Sequence, residues 1–296
     1  MSISPFTGVG TALVTPFKED GSVDHKRFAD FVDWQITEGI NFIVPLGTTG
    51  ESVTTTDEED MAIARTALEA ANGRVPVLVG CGSNNTAEVI ARAKGFKEVG
   101  VTHVLSVSPY YNKPSQEGIY QHFKALRQET GLGIMLYNIQ GRTGSNVEPE
   151  TIARLVEDDI IFGIKEASGS IVQIQKICQL TQGKLQVFSG DDALTQAVIA
   201  VGGEGVVCTS SNAIPKAMVA WVDTIKSGDY AKASQLLRPL LPLFEAMFSE
   251  PNPIATKAAV SLLGHMDARY RLPIVPPQEK TVHLLRELMR PFYSHL

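Results

Sequence analysis

Eight short apolar runs alternate with longer amphipathic ones over about 225 residues, and this alternation predicts an α/β fold, a parallel (β/α)8 TIM barrel. A doubly wound open sheet is the alternative with the same alternation. No glycine-rich dinucleotide fingerprint follows the first run, which counts against it. After Gly228 the strand-like runs stop. Residues 1–228 are therefore expected to form the barrel that carries the active site, and residues 229–296 a C-terminal helical region packed on it. The full length of 296 residues suits one barrel, and would also suit two ordinary domains.

The strands are read from short runs rich in β-branched and apolar residues, bounded by turn formers. They are Thr11–Thr15, Asn41–Leu46, Val75–Gly80, His103–Val107, Gly133–Asn138, Ile160–Glu166, Leu185–Ser189 and Gly205–Cys208. The first helix, Asp24–Glu38, places Phe28, Phe31, Val32 and Ile36 on one face, the period expected of an amphipathic helix. The second, Thr56–Ala71, opens with a capping box from Thr56 to Glu59. Thr86–Val99, Gln116–Glu129, Pro149–Val156, Ile171–Leu180, Ala193–Val201 and Pro215–Lys226 follow. Beyond Gly228, helices are expected at Tyr230–Phe248, Asn252–Leu263 and Pro277–Met289.

A formal net charge of −6, with no basic run longer than two residues, argues against nucleic acid as a partner. No apolar stretch approaches the ~18 residues that span a bilayer, so no membrane association is expected. Met1–Phe17 lacks the pattern of a signal peptide. Cys81, Cys178 and Cys208 are odd in number and far apart, and read as reduced thiols of a cytoplasmic protein. The six histidines are scattered; His25, His122 and His283 fall in helical patterns, and spacing gives metal binding no support.

The sixth strand ends in Gly163-Ile164-Lys165-Glu166. Side chains alternate faces along a strand, so if Phe162 and Ile164 pack outward, Gly163 and Lys165 point into what the sheet encloses. Burial disfavours the ammonium form and lowers the pKa. A lysine at its reference pKa of ~10.4 is about 0.04% neutral at pH 7, and a pKa near ~7.5 raises that several hundred-fold. A neutral amine in a dry pocket is what Schiff-base formation with a carbonyl requires. The same segment also fits a lysine that snorkels to solvent or pairs with Glu166.

Active sites of such barrels form at the C-terminal ends of the strands. After strand two, Gly47-Thr48-Thr49-Gly50-Glu51-Ser52 offers hydroxyls and backbone N–H groups suited to a carboxylate, although an ordinary turn reads the same way. After strand four, Tyr110 and Tyr111 sit in a stiff loop between Pro109 and Pro114. Strand five ends in Tyr137-Asn138, with Met135 and Tyr137 facing inward, and leads to a glycine-bracketed loop carrying Arg142. Arginine in such a loop can grip a carboxylate bidentately, or serve a surface ion pair. Strand seven leads to Ser189-Gly190-Asp191-Asp192, and strand eight carries Val207. An amine, phenols, hydroxyls and two carboxylate grips on one rim suit the chemistry of a 2-oxo acid.

These motifs resemble the dihydrodipicolinate synthase and N-acetylneuraminate lyase superfamily, and within it the dihydrodipicolinate synthase family, from about Phe6 to Met289. Gly47–Glu51 and Lys165 carry the superfamily likeness; the Tyr110–Tyr111 pair and the Arg142 loop favour the synthases. The resemblance implies condensation of pyruvate with aspartate 4-semialdehyde to 4-hydroxy-tetrahydrodipicolinate, in lysine and diaminopimelate biosynthesis. It implies an imine on Lys165, a proton relay of Thr48, Tyr137 and Tyr111, and Tyr111 supplied by a neighbouring subunit. Thr48 and Thr49 would hold the pyruvate carboxylate and Arg142 that of the semialdehyde, with Gly190 and Val207 shaping the pocket through their backbones. It implies no metal or organic cofactor, a homotetramer built as a dimer of dimers, and a lysine effector site containing Ser52, Asn84, Glu88 and Tyr110.

Two departures stand out. Gln140 replaces a common proline, which is expected to loosen the arginine loop. Asp57 and Asp60 stand where lysine-sensitive bacterial forms often carry histidines. The rival reading is another pyruvate-dependent class I aldolase that cleaves a sugar acid, sharing Lys165 and Tyr137 but not needing Tyr111 and Arg142. A non-catalytic ligand-binding barrel is a third reading, against which the complete relay argues.

Overall fold

A computed structural model describes residues 4–296; Met1–Ile3, the start of the segment read for a leader, lie outside the described residues. The strands are β1 (Gly8–Ala12), β2 (Phe42–Val44), β3 (Val79–Gly80), β4 (His103–Val107), β5 (Gly133–Asn138), β6 (Gly163–Glu166), β7 (Gln186–Ser189) and β8 (Gly205–Cys208). They form one eight-stranded sheet in the order β2-β1-β8-β7-β6-β5-β4-β3, the topology of a (β/α)8 barrel. Helices α1 (His25–Thr37), α2 (Asp57–Ala71), α3 (Thr86–Glu98), α4 (Gln116–Thr130), α5 (Gln140–Thr143), α6 (Pro149–Glu157), α7 (Ile171–Thr181), α8 (Thr195–Ala200) and α9 (Pro215–Lys226) alternate with the strands. The C-terminal helices are α10 (Tyr230–Met247), α11 (Ile254–Leu262) and α12 (Glu279–Met289).

The chain divides into two compact units. The first comprises the described residues up to Thr7 together with Leu78–Val207. Its β4, β5, β6 and β7 pair in parallel, and the register runs Val107↔Tyr137, Tyr137↔Lys165 and Lys165↔Phe188. Register partners share a face, so Val107, Tyr137, Lys165 and Phe188 project to one side while Leu136, Ile164 and Val187 project to the other. Phe162, expected to pack outward within the strand, precedes it instead and joins Phe6 and His103 in a cluster of three rings with centroids 5.1–5.5 Å apart.

The second unit comprises Gly8–Val77 and Cys208–Leu296. Its first strand starts three residues earlier than predicted, at Gly8 instead of Thr11. The two glycines there weaken the strand signal, but the packing demands them: a Cβ on Gly10 would lie 2.1 Å from the Phe42 ring. The third strand is shorter than the predicted Val75–Gly80. Pro76 offers only its carbonyl, which accepts from the Ile43 N–H at 3.1 Å, so the earlier residues make no regular ladder. The Thr56–Glu59 capping box opens α2 as expected. Asn212 completes the strand end of β1: its side chain accepts from Val14 N–H at 3.0 Å and donates to Ala12 C=O at 2.7 Å. Trp221 Nε1 donates to Ala233 C=O at 3.1 Å and ties α9 to α10.

Candidate active site

Within the first unit, Lys165 is 6% exposed, and its Nζ lies 4.4 Å from the centroid of the Tyr137 ring. The parallel register brings them together, since neighbouring residues on one face of adjacent strands stack side by side. Burial pushes the Tyr137 phenol up to about 12, with the Arg142 charge opposing in part. The phenol is therefore neutral at pH 7 and can donate a proton. Gly190 leaves the space that the lysine stem occupies: a Cβ there would sit 3.1 Å from Lys165 Cε and 2.7 Å from the Ala167 Cβ. Val207 follows Gly205, the register partner of Phe188, by two residues, so it falls on the face that Lys165 occupies.

Glu166 is 1% exposed and points to the opposite face of β6 from Lys165. Its carboxylate accepts from Asn138 Nδ2 at 2.9 Å, Gln173 Nε2 at 3.3 Å and the Ser168 N–H at 2.7 Å. Asn138 in turn donates to Asn146 and accepts from the Val147 N–H. This network of amides fastens the ends of β5 and β6 to the segment that follows Arg142.

The arginine segment is a single helical turn, α5, where the sequence suggested a loop; Gly144 at φ 78° caps it. Gln140 is its first residue, a position at which proline and glutamine both fit a helix. Arg142 is exposed. The Tyr111 N–H donates to Thr143 C=O at 3.2 Å, and Asn112 Nδ2 donates to Asn84 C=O at 3.0 Å. The loops after β3, β4 and β5 are thus joined. Tyr111 itself is 87% exposed, with φ at 72°, a left-handed conformation that turns the phenol outward from a tied backbone. Among the effector candidates, Tyr110 is half-buried, and Glu88 accepts from Ser83 Oγ at 2.9 Å and Asn85 Nδ2 at 3.0 Å. Ser52 belongs to the other unit.

In the second unit, Thr48, Thr49 and Gly50 form one 3-10 turn followed by Glu51 at φ 56°. Thr48 is exposed and Thr49 is buried. Glu51 explains why the turn holds its shape. Its carboxylate ion-pairs with Lys257, which is fully buried, and accepts the Arg271 N–H at 3.2 Å. Lys257 Nζ also donates to Arg269 C=O at 2.9 Å. Desolvation lowers the Lys257 pKa to about 8, with the Glu51 charge opposing, so the ammonium still predominates at pH 7. The Arg271 guanidinium binds Glu59 at 2.5 and 2.7 Å, which holds that carboxyl below its usual range. Asn252 Nδ2 donates to Thr49 Oγ1 at 2.9 Å.

Asn252, Lys257 and Arg271 were missed in the sequence reading. A signal was present: Lys257 stands alone in the otherwise uncharged helix Ile254-Ala255-Thr256-Lys257-Ala258-Ala259-Val260. A lone charge in an apolar element is buried with its surroundings and must find a partner there. Among the described residues, no three His, Cys, Asp or Glu side chains are grouped to hold a metal ion.

The sequence profile of the Dihydrodipicolinate synthetase family matches residues 5–290. A 4-hydroxy-tetrahydrodipicolinate synthase of Nitratidesulfovibrio vulgaris (strain DP4) is 44% identical over 285 residues, 96% of this chain and 97% of that one. The crystal structure of a dihydrodipicolinate synthase from Thermotoga maritima superposes with a TM-score of 0.94 at 43% identity, covering 97% of this chain and 99% of the other. A monomeric dihydrodipicolinate synthase variant superposes with a TM-score of 0.94 at 44% identity, covering 96% of each chain.

Proposed function

This chain belongs to the Dihydrodipicolinate synthetase family, and we propose that it is a lyase condensing pyruvate with aspartate 4-semialdehyde to 4-hydroxy-tetrahydrodipicolinate in lysine biosynthesis. The observation that carries the reading is the register of β5 on β6, which stacks the Lys165 amine on the buried, neutral phenol of Tyr137.

In this reading the neutral Lys165 amine adds to C2 of pyruvate, and loss of water leaves an imine. Removal of a C3 proton gives an enamine, whose carbon attacks the semialdehyde carbonyl. The new C–C bond leaves an alkoxide that takes up a proton. The amine of the semialdehyde then loses its proton and attacks the imine carbon; the ring closes and the Lys165 amine is expelled. One water leaves overall, and the steps need no metal or organic cofactor. Tyr137, Thr48 and Tyr111 move the protons. Thr48 and Thr49 hold the pyruvate carboxylate, Arg142 holds that of the semialdehyde, and Gly190 and Val207 line the pocket. Residues 1–228 supply these groups, and residues 229–296 support them, as the Glu51–Lys257 pair suggests.

Tyr111 acts in the barrel of a neighbouring subunit, a role that its 87% exposure supports. Two-fold exchange makes the loan reciprocal. The assembly is a homotetramer built as a dimer of dimers, working in the cytoplasm; among the described residues no helix is long and apolar enough to cross a membrane. Ser52, Asn84, Glu88 and Tyr110 form a lysine effector site.

The test combines turnover with trapping. Purified protein should consume the semialdehyde only when pyruvate is present, and pyruvate with borohydride should leave a reduced adduct on the peptide containing Lys165. An adduct elsewhere, or turnover of a sugar acid in place of the semialdehyde, would sink the reading. Arg142→Ala should keep the adduct and lose semialdehyde turnover. Removing a charge-assisted carboxylate contact costs about 2–5 kcal/mol.

A further inference from the structure

We propose that Asn252 is a positioning residue: its amide holds the Thr49 hydroxyl in the donor sense, presenting the hydroxyl proton to a carboxylate at the Gly47–Gly50 turn. The inference rests on the proposed role of that turn in gripping pyruvate.

A threonine hydroxyl has one proton to give and lone pairs to receive with, and it rotates to suit its neighbours. Asn252 Nδ2 carries only hydrogens, and it lies 2.9 Å from Thr49 Oγ1. The Thr49 oxygen therefore accepts in that direction, and its own proton must be directed elsewhere. Asn252 Oδ1 faces the hydroxyl of Thr256 at 3.5 Å, on the side of the amide away from Thr49. Both partners of the bond are buried, at 8% and 3% exposure, so water does not compete for it.

The polarity matters because a carboxylate only accepts. A hydroxyl aimed at it proton-first binds it; the same hydroxyl turned lone pair-first repels it. The asparagine is itself held in place. Asn252 lies two residues before α11, and Lys257 within that helix ion-pairs with Glu51. The turn and the start of the helix are thus joined at two points, Thr49–Asn252 and Glu51–Lys257. At the other side of the turn, Thr15 Oγ1 donates to Gly50 C=O at 2.7 Å. With the backbone clamped, the direction of the Thr49 proton is what remains to be set, and Asn252 sets it.

The test reads the Michaelis constant for pyruvate separately from kcat. Asn252→Asp reverses the bond, since a carboxylate would take the Thr49 proton for itself. The Michaelis constant for pyruvate should rise roughly 10–100-fold, the worth of one charge-assisted hydrogen bond. That for the semialdehyde should stay within about twofold, and kcat at saturating pyruvate should be largely kept, because binding is lost and not chemistry. Asn252→Ala should give a smaller rise of the same kind. In a Thr49→Val background, Asn252→Ala should add nothing, because it acts only through the hydroxyl. Thr49→Ser, which keeps the hydroxyl, should restore the sensitivity to Asn252→Ala.

Thermal melts check that each variant is folded, and if Asn252→Asp does not fold, the Ala and Thr49 cycle decides alone. Equal effects of Asn252→Ala with and without the Thr49 hydroxyl would overturn the proposal, as would an unchanged pyruvate constant in folded Asn252→Asp. A wild-type protein that pyruvate and borohydride fail to label would remove the underlying reading as well. A labelled wild type with unresponsive variants removes only the role of Asn252.

Discussion

Lys165 on β6 and Lys257 on α11 are 6% and 0% exposed, and both lie against aromatic rings, Tyr137 for the first and Phe17 for the second. Their other surroundings differ in kind. Lys257 has a buried counter-charge in Glu51 and a carbonyl from Arg269, so its ammonium stays charged at neutral pH despite the cost of burial. Its work is to hold a turn. Lys165 has a neutral phenol on its register partner and a glycine beside its stem. Its neighbour Glu166 faces away and is occupied by Asn138, Gln173 and Ser168. Burial alone therefore does not mark a nucleophile: Lys257 is as buried as any lysine here, yet its counter-charge in Glu51 makes it a strut, whereas Lys165 is the one proposed as the reagent.

The sharpest way to break this comparison is to exchange the roles experimentally. Lys165→Ala should remove the borohydride adduct and bring turnover to background, while leaving the melting temperature close to that of the wild type. Lys257→Met should do the reverse. It should lose about 3–5 kcal/mol of stability, because Glu51 is left buried and unpaired, and its folded fraction should still form the adduct at Lys165 when pyruvate is saturating. Denaturant titration and peptide mapping of both variants decide it. An adduct that moved to Lys257, or a Lys257→Met protein as stable as the wild type, would collapse the distinction.

A smaller effect tests the space around Lys165, the proposed nucleophile. Gly190→Ala puts a methyl group 2.7 Å from the Ala167 Cβ and 3.1 Å from Lys165 Cε, so Ala167 must move and the lysine stem must give by a few tenths of an ångström. Misplacing a reacting group by about 1 Å costs on the order of 10²-fold in turnover. A shift of a few tenths of an ångström should slow single-turnover trapping measurably but by less than that factor. Trapping at the wild-type rate would show that the stem has room to spare.

The smallest effect sets a scale for burial without a strong partner. His122 is buried, its Nδ1 lies 2.9 Å from Thr86 Oγ1, and desolvation pushes it down to about 4. Its unfolded-state pKa is near ~6.5, so below that value the unfolded chain binds a proton that the folded chain refuses. Stability from this group is complete above pH 6.5 and is lost as pH falls toward 4. At pH 5 the loss is about 2 kcal/mol. Urea titrations at pH 7 and pH 5 should show that difference in the wild type and a reduced one in His122→Gln. Equal slopes in the two proteins would place the acid sensitivity elsewhere.

Much of the fold was legible because the pattern is local. The runs His103–Val107, Gly133–Asn138 and Gly205–Cys208 have the predicted limits, since each is a dense apolar run with an abrupt polar or glycine boundary. The first strand was misplaced because its glycines, Gly8 and Gly10, answer to Asn41 and Phe42, about thirty residues away in sequence, a demand no local pattern announces. The same divide runs through the candidate site. Lys165 and Tyr137 were found from strand alternation, but Asn252 is defined by Thr49, 203 residues earlier. The arginine segment was read as a loop because four residues are too few to show a helical period.

The ion pair between Glu51 and Lys257 also sets a timetable. The two residues are 206 positions apart in the chain. At translation rates of about 5–20 residues per second, Glu51 is made roughly 10–40 s before its counter-charge exists. Through that interval the nascent chain carries a carboxylate destined for an interior that cannot yet accept it. The Gly47–Ser52 turn therefore waits on synthesis, and no early pause or chaperone release can complete it. A ribosome stalled before residue 257 should display this turn as accessible to a protease that spares it in the finished protein.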